Sequence, residues 1–399
     1  MQSSSTPRGA VSMPGHWLVP SDSATGRTDG DGSRGPDAGE PRALLVGLGS
    51  AESDARLDEL ERLAETDGVA VVGRMVQTRE RPDPATYLGS GKVSDLAGMV
   101  QERSAELVIV DGELSPAQVR NLEDRLQARV VDRTALILDI FAQHARSSEG
   151  KAQVELAQLA YQLPRLRGQG TELSRVGGGR VAGGAGIGVR GPGEQRLETE
   201  RRHLRRRISL LRRQVKETGL RRERTRSRRR RNQVPSVALT GYTNAGKSAL
   251  LNRLTGADVL VQDALFATLD PTVRRTRTAD GREYTLTDTV GFVRHLPHQL
   301  VDAFRSTLQE VVDADLLLHV VDASAADAMA QVTTVRGVLY EIGARDHTEL
   351  LALNKVDVAP PEWVAALRSA YPAAVPVSAI TGEGLDHLRT AIARALSGL

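Results

Sequence analysis

Residues 241–248 read Gly241-Tyr242-Thr243-Asn244-Ala245-Gly246-Lys247-Ser248, the G-x-x-x-x-G-K-S spacing of a phosphate-binding loop. The run lies between a strand-like segment, Val237 to Thr240, and a helical one, Ala249 to Leu254, which is the setting its chemistry requires. Glycines 241 and 246 permit a tight turn whose N–H groups converge on phosphate oxygens. Lys247 then reaches the β- and γ-phosphates, and the Ser248 hydroxyl is placed to ligate Mg²⁺. Such a loop predicts a nucleoside triphosphate and leaves the base open.

The base is selected further along the chain. Asn354-Lys355-Val356-Asp357 follows the apolar run Leu350 to Leu353, and the Asp357 carboxylate, an acceptor only, suits the paired N–H donors on guanine's Watson–Crick edge. Adenine offers no such pair, and a buried acceptor left unpaired penalises the wrong base. GTP is therefore expected, with Asn354 tying this motif to the phosphate loop and Lys355 covering the base. Ser378-Ala379, after the apolar run 373–377, is expected to offer a backbone N–H to guanine O6.

Two elements are placed to sense the γ-phosphate. Asp288-Thr289-Val290-Gly291 fits D-x-x-G, with Asp288 holding Mg²⁺ through water and the Gly291 N–H facing the phosphate. Upstream, Phe266-Ala267-Thr268-Leu269-Asp270 offers Thr268 as a second Mg²⁺ ligand, with Thr272 as its rival. Lys247, Thr268 and Gly291 thus form the expected catalytic set. Each tetrapeptide is common alone; five in this order, each at a strand end, are not. Where many GTPases carry a water-orienting Gln, this chain has Phe292, so slow intrinsic hydrolysis is expected. Two roles are open to Asn244: a ligand to an activating K⁺ beside the phosphates, or a stabiliser of the loop.

These motifs need an α/β frame to hold them. Strand-like and helix-like runs alternate over residues 43–145: Ala43–Val46, Leu57–Ala64, Val69–Val76, Val93–Arg103, Leu107–Val110, Pro116–Gln127 and Arg129–Val131. The fold class read from this is α/β: a P-loop GTPase domain with a mostly parallel sheet, residues 233–399, preceded by a small α/β domain over 41–146 and an antiparallel helical hairpin over 147–232. The hairpin rests on two apolar seams of similar length, Ala152, Leu156, Leu159, Leu163, Leu166 and Leu197, Leu204, Ile208, Leu211, Val215, the first weakened at its end by Pro164. Its connection, Gly168 to Gly193, contains 11 glycines. Gly186 to Gly191 there matches G-x-G-x-x-G, but no strand precedes it, so it is not read as a dinucleotide site. The loop reads either as a tip that enters an RNA-lined space, with Arg175, Arg180 and Arg190 supplying charge, or as a disordered linker. Gly89-Ser90-Gly91-Lys92 is half a phosphate loop, and a second nucleotide site or a helix-capping turn would use it.

Composition narrows the partners. Arg196 to Arg231 hold 16 Arg and 1 Lys against 4 Glu, +13 in a chain whose net charge is +3 over 399 residues. That density predicts a phosphate backbone, and with aromatics at only 3% the expected target is structured RNA rather than stacked single strands. The absence of cysteine excludes disulfides and zinc–thiolate sites, and no apolar run reaches the ~18 residues of a membrane span. No secretory signal is visible either, so the expected location is cytoplasmic. Residues 1–40 have the composition of a disordered leader.

The chain also resembles a known family. Leu88 to Lys92, Leu114-Ser115-Pro116-Ala117-Gln118, Asp132-Arg133-Thr134 with Ile137 to Ala142, Gly191 to Glu194, the phosphate loop, Phe266 to Thr272 and Asp288 to Phe292 together resemble the HflX family of translational GTPases, from about residue 43 onward. The resemblance implies a cytoplasmic GTPase that binds the large ribosomal subunit and its rRNA and splits stalled or idle ribosomes under stress. It implies Ser248 and Thr268 as the Mg²⁺ ligands, and Phe292 as the usual residue at its position. A monomer that binds GTP and GDP is expected. The Gly177–Gly188 segment is longer than in many relatives, and the further C-terminal domain that some carry is not expected after Ser378-Ala379 and the helix that follows. The alternative is an RNA-binding assembly or remodelling factor in which nucleotide is a structural ligand, or in which ATP is used at a second site.

Overall fold

In the computed structural model two sheets, the first parallel and the second parallel but for one strand, are joined through one shared apolar cluster. The structure describes residues 40–49, 53–166, 192–231, 234–257, 264–278, 280–294, 297, 300 and 304–398. The leader, the Gly/Arg connection with Arg175, Arg180 and Arg190, and the Gly186–Gly191 match lie outside the described residues.

The first sheet comprises β1 (Arg42–Leu48), β2 (Ala70–Gln77), β3 (Leu107–Val110) and β4 (Arg129–Asp132), all parallel, in the order β2-β1-β3-β4. Its crossovers are α1 (Ser53–Thr66), α2 (Ser90–Glu102) and α3 (Pro116–Leu126). Local chemistry explains the ends of these helices. Ser115 accepts from the Gln118 N–H while the Gln118 side chain accepts from Ser115 N–H, and Pro116 follows at the first helical position. This capping box contributes about 1 kcal/mol and accounts for the Ser-Pro-Ala-Gln run. Gly89 is the residue before α2, its N–H donated to Gln77 Oε1 at 2.9 Å, and Lys92 pairs with Asp95 one turn on. Gly89 to Lys92 thus forms a helix start.

Sequence periodicity misses α4 (Arg133–His144), because Arg133 to Phe141 are all buried and leave no polar face. Asp132 caps it by accepting from Ala135 N–H, and also accepts from the Tyr161 hydroxyl (2.8 Å), Leu114 N–H and Arg165. Arg133, although buried, has two carboxylate partners, Asp111 at 3.1 Å and Glu59 at 2.5 Å.

Helices α5 (Ser148–Arg165) and α6 (Pro192–Arg231) pack against each other through Ala152, Leu159, Ile208 and Leu211, with Leu156, Leu163, Leu204 and Val215 at the margin. The packed seams, 152–163 and 204–215, are of similar length, whereas the helices are not: α5 has 18 residues and α6 has 40, because the Arg-rich segment continues the second helix. At 1.5 Å per residue α6 spans about 60 Å.

The second sheet runs β10-β9-β8-β5-β7-β6. Its strands are β5 (Ser236–Gly241), β6 (Thr272–Arg277), β7 (Glu283–Asp288), β8 (Leu316–Asp322), β9 (Thr348–Asn354) and β10 (Val375–Pro376), and only β6 is antiparallel. Helices α7 (Lys247–Thr255), α8 (Arg305–Val312), α9 (Ala328–Glu341), α10 (Pro361–Ala370) and α11 (Leu385–Ser397) complete it. The two sheets are not independent. One core cluster joins Leu57, Leu60, Ile137 and Phe141 from the first to Phe266, Phe292, Val293 and Leu317 from the second. None of the described helices is long and apolar enough to cross a membrane.

Candidate nucleotide-binding site

The phosphate loop leaves the C-terminal edge of β5 and enters α7, so the first N–H groups of that helix point into the cleft. Gly246 has φ +90°, and a Cβ there would collide with the Asn354 side chain, so no other residue fits this point of the turn. Asn354 explains the close approach: its Nδ2 donates to Ala245 O at 2.8 Å and its Oδ1 accepts from Ala379 N–H at 3.0 Å. One amide therefore joins the phosphate loop, the N-K-x-D motif and the Ser378-Ala379 turn. Asn244 sits at φ +60°, a region Asn tolerates better than most residues.

Lys247 is buried, with Nζ 2.8 Å from Tyr242 O and 3.3 Å from Gly241 O. Burial pushes its ammonium down to about 8, against the pull of Asp288. A built Cβ on Gly291 would lie 3.0 Å from this Nζ and 2.8 Å from Thr243 Cα, so Gly291 brings its backbone against the loop. Phosphate loop and D-x-x-G segment are also stitched directly: Thr243 N–H donates to Phe292 O (2.8 Å) and Phe292 N–H to Gly241 O (3.1 Å). Phe292 is wholly buried, and Thr289 and Val290 are buried beside it.

Three oxygens from three motifs converge across the cleft. Ser248 Oγ lies 2.6 Å from Asp288 Oδ2 and 2.9 Å from Thr268 Oγ1. Burial raises the Asp288 carboxyl, opposed by Lys247, Ser248 and Thr268, and its Oδ1 is buried without a hydrogen-bond partner. A hard-oxygen set with one orphaned carboxylate oxygen fits a Mg²⁺ ion. Thr268, and not Thr272 at the start of β6, faces this cluster; with Phe266 and Ala267 it lines the cleft beside Lys247 and Ser248.

Several residues expected to touch nucleotide are placed otherwise. Leu269 is buried in the core, and the Asp270 carboxylate turns away to the start of α5. Asp357 is exposed, so any burial of its carboxylate would have to come from the base itself. Lys355, at φ +65°, pairs its ammonium with Asp322 at 2.7 Å, which leaves only its aliphatic stem to cover a base, and Val356 is half-buried behind it. The Ser378 and Ala379 N–H groups are engaged by Glu383 O and Asn354 Oδ1.

Sequence reasoning missed the residues that attach this cleft to the first sheet. Glu59 of α1 accepts from the Tyr242 hydroxyl at 2.6 Å, and that hydroxyl oxygen accepts from Arg294 N–H at 2.9 Å. Burial and Glu59 raise the Tyr242 phenol well above its ordinary value, so it remains a donor. Phe141 stacks edge-on against Phe266 and Phe304, each with ring centres 4.7 Å away. A single buried cation, Arg133 within an apolar run, was the one local signal of this junction.

Comparison with known proteins supplies the family. Three family models match in succession: GTP-binding GTPase N-terminal over residues 54–142, GTP-binding GTPase Middle Region over 144–230, and 50S ribosome-binding GTPase over 236–355. GTPase HflX of Caldanaerobacter subterraneus subsp. tengcongensis is 49% identical over 356 residues, 89% of this chain and 80% of that protein. The chain belongs to the HflX family of GTPases. Escherichia coli GTPase HflX is 46% identical over 365 residues, 91% of this chain and 84% of its own. A GTP-binding protein from Sulfolobus solfataricus in complex with GDP is 25% identical, covering 90% of this chain and 99% of that one, with a TM-score of 0.44. As an HflX-family protein the chain is a GTPase, and its sheets, loop and helices are those of the P-loop GTPase fold with an N-terminal α/β region.

Proposed function

We propose that this GTPase binds the large ribosomal subunit in its GTP-bound form, separates stalled or idle ribosomes, and leaves after hydrolysis. The observation that carries the reading is the nearness in the chain of α6 to β5. A 40-residue Arg-rich helix, suited to an RNA backbone, ends four residues before the strand that leads to the phosphate loop. The family model over residues 236–355, described as a 50S ribosome-binding GTPase, supports the same partner.

In this reading Lys247 and the amides at the start of α7 hold the β- and γ-phosphates, Thr268 and the Gly291 N–H read the γ-phosphate, and Asp357 selects guanine. Ser248 and Thr268 would hold Mg²⁺ with Asp288 behind them, and the ion, when bound, offsets negative charge on the phosphates. Phe292 has no group to orient water, so hydrolysis is slow until the ribosome supplies or rearranges one. Loss of the γ-phosphate frees Thr268 and Gly291, and the arrangement of helices that favours the ribosome is no longer held. The protein works in the cytoplasm, as a monomer.

Sucrose-gradient sedimentation of intact ribosomes tests this. Conversion to subunits with GTP and with a non-hydrolysable analogue, but not with GDP, is expected. Intact particles under all three conditions would leave the assembly-factor reading in its place.

A further inference from the structure

Asp270 lies two residues beyond Thr268, yet its carboxylate makes no part of the phosphate cleft. It accepts from Arg146 N–H at 3.0 Å, from Ser147 N–H at 2.7 Å and from the Ser147 hydroxyl at 2.5 Å. Ser147 is the cap of α5 and its Oγ accepts in turn from Gly150 N–H at 2.8 Å. The fit is close on the helix side as well, because a Cβ on Gly150 would collide with Asp270 Oδ1. A carboxylate at this end of a helix is favoured both by the unpaired N–H groups and by the helix dipole.

The same first turn of α5 faces the basic helix. Glu149, buried, pairs with Arg222 of α6 at 3.0 Å, and Arg207 pairs with Glu155 at 2.6 Å further along. Between Thr268 and Arg222 there is thus a continuous run of bonded groups: Thr268, two residues of chain to Asp270, the start of α5, then Glu149. Leu269 is buried and Pro271 restricts the residue before it to extended backbone, so the short connection has little slack.

We propose that Asp270 is a positioning residue: seated on the N-terminus of α5, it holds Thr268 over Ser248, and it passes the presence of a γ-phosphate to the paired helices. Coupling of this kind is reciprocal, so a partner that shifts α5 or α6 also changes how well Thr268 meets the nucleotide. The inference rests on Thr268 as a γ-phosphate ligand, and the test separates the two.

Affinities of the full chain for GDP and for a non-hydrolysable GTP analogue are measured for the parent, Thr268→Ala, Asp270→Ala and Gly150→Ala. Each variant is expected to lower the preference for the triphosphate by about tenfold, the size of a lost charge-assisted contact, with GDP affinity unchanged. Gly150→Ala leaves Asp270 in place but displaces its carboxylate, and the Asp270→Ala/Gly150→Ala double variant should be no worse than either single one. Amide exchange in residues 147–154 should be slower with the analogue than with GDP in the parent, and equal in Asp270→Ala. If Thr268→Ala lowers the preference while Asp270→Ala and Gly150→Ala do not, the role of Asp270 is refuted and that of Thr268 stands. If Thr268→Ala changes nothing, both fall. Equal exchange with the two nucleotides in the parent also refutes the proposal.

Discussion

The two ends of the nucleotide cleft are built on different plans. At the phosphate end Lys247, Asp288, Thr289 and Phe292 are buried, and the preceding half of the chain reaches their neighbours Tyr242, Phe266 and Asp270 through Glu59, Phe141 and Ser147. At the base end Asp357 and Ile380 are exposed, Lys355 pairs with Asp322 in its own sheet, and Asn354 is the main brace. The difference teaches what the rest of the molecule can sense. In the proposed reading, base identity would be settled locally at the rim, whereas phosphate number would bear on groups that the other domain holds.

Substitutions at each end sharpen or break this contrast. Lys247→Ala should lower GTP hydrolysis by ~10²- to 10³-fold, measured at saturating GTP, since a preorganised cation at the phosphates is removed. Asp357→Asn should swing preference from GTP toward xanthosine triphosphate by ~10²-fold, through the exchange of an acceptor for a donor. Because Asn354 and Lys355 are braced by Ala245, Ala379 and Asp322, all on the side of the second sheet, that variant should leave deuterium exchange in α1 unaltered. Tyr242→Phe is smaller and opposite in reach: triphosphate affinity should fall by about three- to tenfold, and α1, which carries Glu59, should exchange faster. A comparable rise in α1 exchange on Asp357→Asn would erase the distinction between the ends.

The weakest effect concerns support rather than contact. Asp67 follows α1, whose Thr66 hydroxyl accepts from Leu265 N–H beside the cleft, and burial together with Asp139 lifts its carboxyl from 3.8 to about 9. The folded state therefore keeps a proton that the unfolded chain releases above pH 3.8. The stability it contributes is full below that pH, declines as pH rises, and is lost above about 9. Asp67→Asn, which does not titrate, should be the more stable protein by about 1–3 kcal/mol at pH 8 and show little advantage at pH 4. Thermal melting at the two pH values checks the sign.

How much of this was legible in the sequence depends on the distance over which each interaction acts. The phosphate loop, D-x-x-G and N-K-x-D are short runs at strand ends, and their residue types announce the chemistry wherever they lie. The strands and helices of the first sheet were equally local, since each carries its own periodicity. Glu59 with Tyr242 and Asp270 with Ser147 join residues 183 and 123 positions apart, and nothing near any of the four marks its partner. Asp270 was legible as part of a nucleotide-facing run, and only tertiary packing turns its carboxylate onto α5. Helix α4 escaped for the opposite reason: buried on every side, it lacks the alternation by which helices are read.

Only residues 232–235 separate the last turn of α6 from β5, and β5 ends in Gly241. A rod of about 60 Å is thus mounted about one strand length, ~20 Å, from the point where phosphate is gripped, and a tilt of ~5° at its base would sweep the far end through ~5 Å. Motion too slight to disturb the cleft becomes, at that distance, a stroke the size of a base pair's rise or more.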